Sequence, residues 1–394
     1  MTFENNKYLV KTTILTYMAF VFSLPLLSGE FRSSVLFYLS FTLLLVTLLS
    51  HKILRERIFS QREFNTGIIL LASFLVWFSL SNLWGSDPSN ILSTLKHSLY
   101  LLGFVLLFRL SCLHGHKNIV LSLFFLATVI LCVLIFIYVD KANIISGRLD
   151  RVLINQPSNV IDLGGYFSLS IICGFILIRD TGKKWIFLPI ALLFLGLLFT
   201  QSRGPLFSLL LACAPLLTLL RRTHLSYLLM GALTIGVLAL ILFLSNYDNT
   251  LTARLASTYQ QSFIRIGIWR DAWDLFLQKP WMGWGFDKEL DFVNQIGERV
   301  HTTHSIYFGT LLKGGSLGMA LMLSVVGYSL YMGWQHIKIN QALEASMIVF
   351  SLIFYTSQGM FILGNPGESW FLFWFPIAVV LSLPVKGQPA PDRP

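Results

Sequence analysis

Charge is what this chain of 394 residues has least of: Asp, Glu, Lys and Arg make up 12% of it, against about a quarter in soluble globular domains. With 55% hydrophobic residues and a mean hydropathy of +0.69, that scarcity excludes a set of soluble domains and points to an integral membrane protein. Cysteine is nearly absent as well. Cys112, Cys132, Cys173 and Cys213 lie in or beside apolar runs without CxxC spacing, so neither disulfides nor a thiolate metal site is indicated. The net charge of +10 comes without a basic block, an RNA-binding motif or an aromatic-basic ribbon, which excludes nucleic acid as the reason for it. No cleavable leader is legible, because the first apolar run is followed directly by more of them and reads as a span itself.

What the sequence has in abundance is apolar runs long enough to cross roughly 30 Å of hydrocarbon as helices. Windows near 8–27, 34–50, 66–84, 91–108, 119–138, 160–178, 185–200, 204–220, 225–245, 303–331, 342–362 and 370–385 predict an all-α membrane protein of about 12 transmembrane helices, in a single polytopic domain over 1–394. Placing the N-terminus in the cytoplasm puts 16 Lys and Arg on inner segments, among them Lys7, Lys11, Lys52, Arg55, Arg57, Arg62, Arg109, Lys117, Arg179, Lys183, Lys184, Arg221 and Arg222, and leaves Arg32, Lys141, Arg148, Arg151 and Arg203 outside with six more in the 246–302 loop. That bias satisfies the positive-inside rule in this orientation and predicts that both termini are cytoplasmic.

Most connections are short and marked by helix breakers, such as GSDPSN at 85–90 and GNPGES at 364–369. The outer segments 139–159 and 246–302 break that pattern, and loops of such length are functional or disordered. The second is too rich in tryptophan and helical periodicity for disorder. Within it Ile266, Trp269, Trp273 and Phe276 recur at helical steps before Pro280, which predicts an amphipathic helix. Trp269, Trp273, Trp281 and Trp284 favour a helix lying along the outer membrane surface. A cap packed on the spans fits the same pattern.

Ionisable residues near a bilayer cost roughly 2.5–3.5 kcal/mol at its centre on insertion scales and need a reason. Arg203 sits in the very short outer turn QSRGP, Arg265 opens the amphipathic helix with Arg270 as its neighbour, and Lys96 lies in the first turns of the fourth span beside His97. A guanidinium grips phosphate oxygens through paired hydrogen bonds, so arginines at the outer face suit a diphosphate. Snorkelling of each side chain to the headgroups is the other reading. A histidine near neutrality suits deprotonating a sugar hydroxyl, and His304 begins the tenth span with His301 about one turn earlier. Glu298, His301 and His304 form ExxHxxH, yet no second ExxH and no cysteine or carboxylate cluster completes a metal site. No metal ligand is assigned.

In their order, these pieces resemble the O-antigen ligase family, within the superfamily that also holds O-antigen polymerases and bacterial protein O-oligosaccharyltransferases. The matching pieces are QSRGP, Arg265-IGI-Trp269, Pro280-WM-Gly283-W-Gly285, His304-Ser305-Ile306-Tyr307, the following glycine pair, and an echo in LSNLWGSDPSNIL at 80–92. Ser305 stands where asparagine is more usual, and Lys313 where relatives often carry an acid. The resemblance implies a GT-C-like membrane glycosyltransferase without metal or other cofactor. It would transfer a glycan from undecaprenyl diphosphate to the lipid A-core oligosaccharide at the periplasmic face of the cell inner membrane, in lipopolysaccharide biosynthesis. His304 would then be the base or acceptor-positioning residue, and Arg203 and Arg265 would grip the donor diphosphate. Arg270, His301 and Lys96 are accessory candidates. An O-antigen polymerase keeps the chemistry and changes the acceptor. A transporter or flippase of lipid-linked sugars expects repeated halves and a site at mid-membrane, where this chain clusters its ionisable residues at the outer face.

Overall fold

The structure, a computed structural model, describes residues 3–28, 33–140, 149, 152–157, 159–213, 264–293, 297, 299–359 and 361–385. The expected span at 225–245, most of the outer segment 139–159, the first part of the 246–302 loop and Glu298 lie outside them. Apolar runs become helices because only a helix satisfies its own backbone in a medium without water. The helices are α1 (Phe3–Leu26), α2 (Ser34–Ser50), α3 (Lys52–Ile58), α4 (Arg62–Leu80), α5 (Ile91–Leu113), α6 (Lys117–Tyr138), α7 (Val160–Thr181), α8 (Phe187–Phe199) and α9 (Arg203–Ala212). They continue as α10 (264–278), α11 (Ile306–Lys338), α12 (Ala342–Phe354) and, after a π-helical turn at Trp370–Trp374, α13 (Phe375–Ser382). The strands β1 (Phe292–Val293) and β2 (Arg299–Val300) pair antiparallel in a small hairpin.

Among the described residues, six helices are long and apolar enough to cross a membrane, and a seventh span follows if α2 and α3, bent by 110°, count as one. That makes the chain a multi-pass membrane protein. The helices at Lys184–Phe199, Arg203–Ala212, Ala342–Phe354 and Trp370–Ser382 are apolar but shorter. The expected window 185–200 matches its helix within one residue, whereas 342–362 and 370–385 run on past helices that end at Phe354 and Ser382.

Successive helices alternate between two ends of the bundle. At one end Lys117 on α6 reaches Asp180 on α7 at 2.7 Å, Arg179 holds Glu344 on α12 at 2.6 Å, and Arg109 on α5 donates to the Ser382 carbonyl at 2.5 Å. At the other end Tyr38 on α2 donates to Asn365, and the indole of Trp84, after α4, donates to the Met282 carbonyl. Aromatic rings fill the interior between them. Phe37 meets Trp370 edge-on at 4.7 Å and Phe124 stacks on Phe371 at 4.9 Å. Outside, Leu49, Leu92 and Leu188 are 75–80% exposed, the inside-out pattern expected of a surface solvated by lipid.

Candidate functional site

The helical ladder of α11 breaks at Gly315, whose φ of 63° and ψ of −163° are not helical. In an unbroken helix the Ser316 and Leu317 amides would bond to the Leu312 and Lys313 carbonyls. Here Ser316 N donates to Pro280 O (2.8 Å) and Leu317 N to Trp281 O (3.2 Å), while Leu312 O and Lys313 O accept from Trp284 N and Gly285 N (2.9 Å each). The 280–285 loop therefore inserts into the ladder and satisfies these two amides and two carbonyls in place of the helical bonds. This accounts for the glycines of the P-x-x-G-x-G segment and of the following pair. Gly283 and Gly315 both have positive φ, and a Cβ on Gly283 would lie 2.5 Å from Gly315 N. Lys313, at the break, donates to the Phe286 carbonyl with its ammonium over the Phe286 and Phe361 rings.

The same loop is gripped from its other side. A Cβ on Gly285 would lie 2.8 Å from Gly85 N, and Asn90 donates to Asp287 at 3.1 Å. The GSDPSN turn is held by Asp87, which accepts from the Ser89 amide and hydroxyl and from Asn90.

Helix α10 packs Ile268, Ala272 and Phe276 inward and leaves Ile266, Trp273 and Leu277 exposed. The expected grouping of Ile266, Trp269, Trp273 and Phe276 on one face is thus corrected: Trp269 and Phe276 turn inward and Ile266 and Trp273 outward. Trp269 stacks on Phe308 at 5.4 Å and donates to the Thr303 carbonyl at 3.0 Å. Trp284 donates to Leu275 O at 2.8 Å beneath the Lys279 and Lys288 ammonium groups. Of the tryptophans expected at the lipid boundary, Trp273 (44% exposed) and Trp281 (70%) are free to occupy it.

Those contacts converge on His304. The residue is not helical, as α11 begins at Ile306. Its φ is +47°, a left-handed conformation that costs on the order of 1–3 kcal/mol and persists only where neighbours enforce it. Thr303 and Ser305 on either side are buried, Thr303 Oγ1 donates to Ser305 O at 2.7 Å, and the Ile306 amide donates to Tyr355 O at 3.2 Å. Tyr307 completes the clamp by donating to Leu352 O at 3.0 Å. The half-buried imidazole is held below its ordinary pKa, first by desolvation and then by the nearby Arg265 guanidinium, itself lowered by burial. Arg265 thus lies within electrostatic range of His304, and the imidazole is biased to the neutral form that can accept a proton.

The QSRGP turn reaches the same end. Gln201 also has a positive φ (52°), Arg203 is exposed at the first position of α9, and a Cβ on Gly204 would come within 4.0 Å of Ser357 Oγ. Segment 352–359 thus touches both the Arg203 turn and the His304 clamp. The accessory residues stand apart. His301, expected one helical turn from His304, is exposed in extended chain: its ring bonds to Leu290 O and its carbonyl accepts from Leu290 N, each at 3.2 Å. Arg270 is exposed on α10, and Lys96 is exposed on α5 beside His97, which pairs with Asn365. The sequence reading missed Thr303 and the indole of Trp269 as supports of His304. It also missed Asp162 on the first turn of α7, which accepts from the buried Gln358 at 3.4 Å. The rule that ionisable residues in spans need a reason was applied to cations and would have found this acid too.

Residues 188–323, which hold the QSRGP turn, α10, the 280–285 loop and His304, match the family model described as O-Antigen ligase. Over 207 residues the chain is 32% identical to an O-antigen ligase of Pseudomonas aeruginosa, covering 52% of this chain and 49% of that protein. The chain thus spans about half the length of the curated relative it matches. The resemblance drawn from the motifs holds over the segment that builds the site.

Proposed function

We propose that this chain, similar to O-antigen ligases over its site-bearing segment, transfers a glycan from undecaprenyl diphosphate to the lipid A-core oligosaccharide in lipopolysaccharide biosynthesis. The observation that carries the reading is the clamped, half-buried His304 beside Arg265 at one end of a membrane bundle, an end that the Arg203 turn also reaches. In this reading that end is the periplasmic face of the inner membrane, both termini are cytoplasmic, and the frame is a GT-C-like bundle of about twelve spans.

The residues divide the chemistry between them. Neutral His304 accepts the proton of the acceptor hydroxyl, or positions that hydroxyl, as it attacks the anomeric carbon. Arg203 and Arg265 bind the diphosphate and stabilise the negative charge that grows on it as the glycosyl bond breaks. Fixed cations in a site of reduced dielectric give this stabilisation without a metal. Attack from the side opposite the leaving diphosphate inverts the anomeric centre. The exposed Ile266, Trp273, Leu277 and Trp281 rest α10 in the lipid boundary, where a lipid-borne donor arrives.

A strain lacking the protein tests the reading through its lipopolysaccharide gel profile, with lipid-linked glycan assayed in parallel. Loss of capped molecules with accumulation of long lipid-linked glycan is the expected result. Molecules capped by a single repeat would make the protein a polymerase instead, and an unchanged profile would end both readings.

A further inference from the structure

The cations and His304 account for the donor and the proton, and leave unused a polar group on the neighbouring turn. Asp162 lies on the first turn of α7. Gly164, two residues on, is so close to the QSRGP turn that a Cβ there would meet Pro205 Cγ at 3.0 Å and Thr200 Oγ1 at 3.3 Å. Gln358, buried and next to Ser357, donates to Asp162. Glu368, in the connection before the π-helical turn, is within electrostatic range of Asp162, and burial raises its carboxyl above the ordinary range. One helical turn after Asp162 stands Tyr166, fully buried, its hydroxyl without a hydrogen-bond partner and within electrostatic range of both Glu368 and Asp162.

An acid at a helix N-terminus has an ordinary explanation in the helix dipole. That explains Asp162 alone. It leaves Glu368 beside a second carboxylate, where like charges repel, and the Tyr166 hydroxyl unpaired, where an unmade bond is costly. A ligand that carries several hydroxyls suits both groups: the carboxylates accept hydrogen bonds from them, and the phenol gains a partner. A diphosphate is the wrong ligand, since paired carboxylates repel it. We infer that Asp162, Glu368 and the Tyr166 hydroxyl form the subsite for a sugar ring of the acceptor, beside the QSRGP turn that Gly164 packs against. The carboxylates receive the ring hydroxyls, Gln358 fixes Asp162, and Tyr166 closes the floor. The inference rests on the glycosyl-transfer reading.

The test uses the full chain in lipid with an undecaprenyl-diphosphate-linked glycan and lipid A-core, and separately measures binding of soluble core oligosaccharide without donor. Asp162→Asn and Glu368→Gln should each raise the acceptor KM and weaken oligosaccharide binding about 10-fold, the loss of one charged hydrogen bond, with the donor KM within about twofold. Tyr166→Phe guards against misfolding of those variants. It should weaken oligosaccharide binding several-fold, yet raise the thermal midpoint of the ligand-free protein by removing a buried unpaired hydroxyl. An unchanged acceptor KM, an equal rise in the donor KM, or a Tyr166→Phe protein that is less stable and binds normally would overturn the subsite. A wild-type chain that binds the oligosaccharide but transfers nothing would instead overturn the transfer reading, and loss of that binding in the variants would still uphold the subsite.

Discussion

At the scale of single residues, His304 combines strain with a charge environment, and both can be measured. Burial and Arg265 lower its pKa from the ordinary imidazole value of about 6.5. The neutral form is therefore fully present above that value and is lost only as pH falls through the lowered one. Activity should hold below pH 6.5 and then decline along an acid limb. Arg265→Gln removes the second cause, so at saturating donor its acid limb should move to higher pH, and a profile that moves down or not at all would refute the pairing. His304→Ala should abolish transfer while membrane insertion and donor binding persist. Arg265→Lys should recover part of the donor affinity that Arg265→Ala loses, because a lysine keeps the charge and lacks the paired donors.

At the scale of elements, the site is a set of backbone repairs. The break at Gly315 would leave amides and carbonyls of buried backbone unpaired, and the 280–285 loop satisfies them, so loop and helix hold each other in register. Gly315→Ala would force a side chain into positive φ and place its Cβ 2.5 Å from Gly283 N, which should cost about 1–3 kcal/mol from the backbone alone. A lower thermal midpoint together with a loss of activity is expected, and an unchanged midpoint would show that the junction tolerates a Cβ. Trp269→Phe is milder. It keeps the stack on Phe308 and removes the indole donor to Thr303, worth about 1 kcal/mol, and it should lower turnover more than stability because the lost bond orients the residue before His304.

The motifs were legible at this scale, but their reasons were not. The resemblance to the ligase family marked Arg265, Trp269, Gly283, Gly285 and His304 as one group. It did not show that the glycines serve a backbone insertion, or that the helix starts at Ile306 and leaves His304 in left-handed chain. Periodicity also misassigned a face of α10, because a helix between protein and lipid is apolar on both sides and a single stripe no longer identifies the inner one. Asp162 carried a signal as an acid within a span, but its relation to Glu368 is tertiary: α7 and the 364–369 connection meet only when the bundle closes.

At the scale of the whole molecule, the two ends of the bundle divide labour. The site end collects strained residues, exposed loops and the cations Arg203 and Arg265, whereas the opposite end is tied by an ion cluster around the buried Glu344. There Glu344 is fully buried, takes both guanidinium nitrogens of Arg179 at 2.6 and 2.7 Å, and has Lys117 at 3.5 Å, with Lys117 also on Asp180. Asp162 and Arg179 lie near opposite ends of α7, about 26 Å apart along the helix, so this cluster stands far from Asp162 on the same element. It holds α6, α7 and α12 together where α7 and α12 run on to the site, at Asp162 and at Tyr355. Removing Arg179 leaves the buried Glu344 carboxylate with Lys117 alone at 3.5 Å, a destabilising loss, while replacing both Arg179 and Glu344 with apolar residues can be neutral. Arg179→Met should accordingly lower the thermal midpoint sharply, and Arg179→Met with Glu344→Leu should restore most of it. Since neither residue is near the chemistry, the acceptor and donor KM of the double variant should match the wild type. A shifted KM in a protein of restored stability would show instead that the ion cluster sets the geometry of the distant site through α7 and α12.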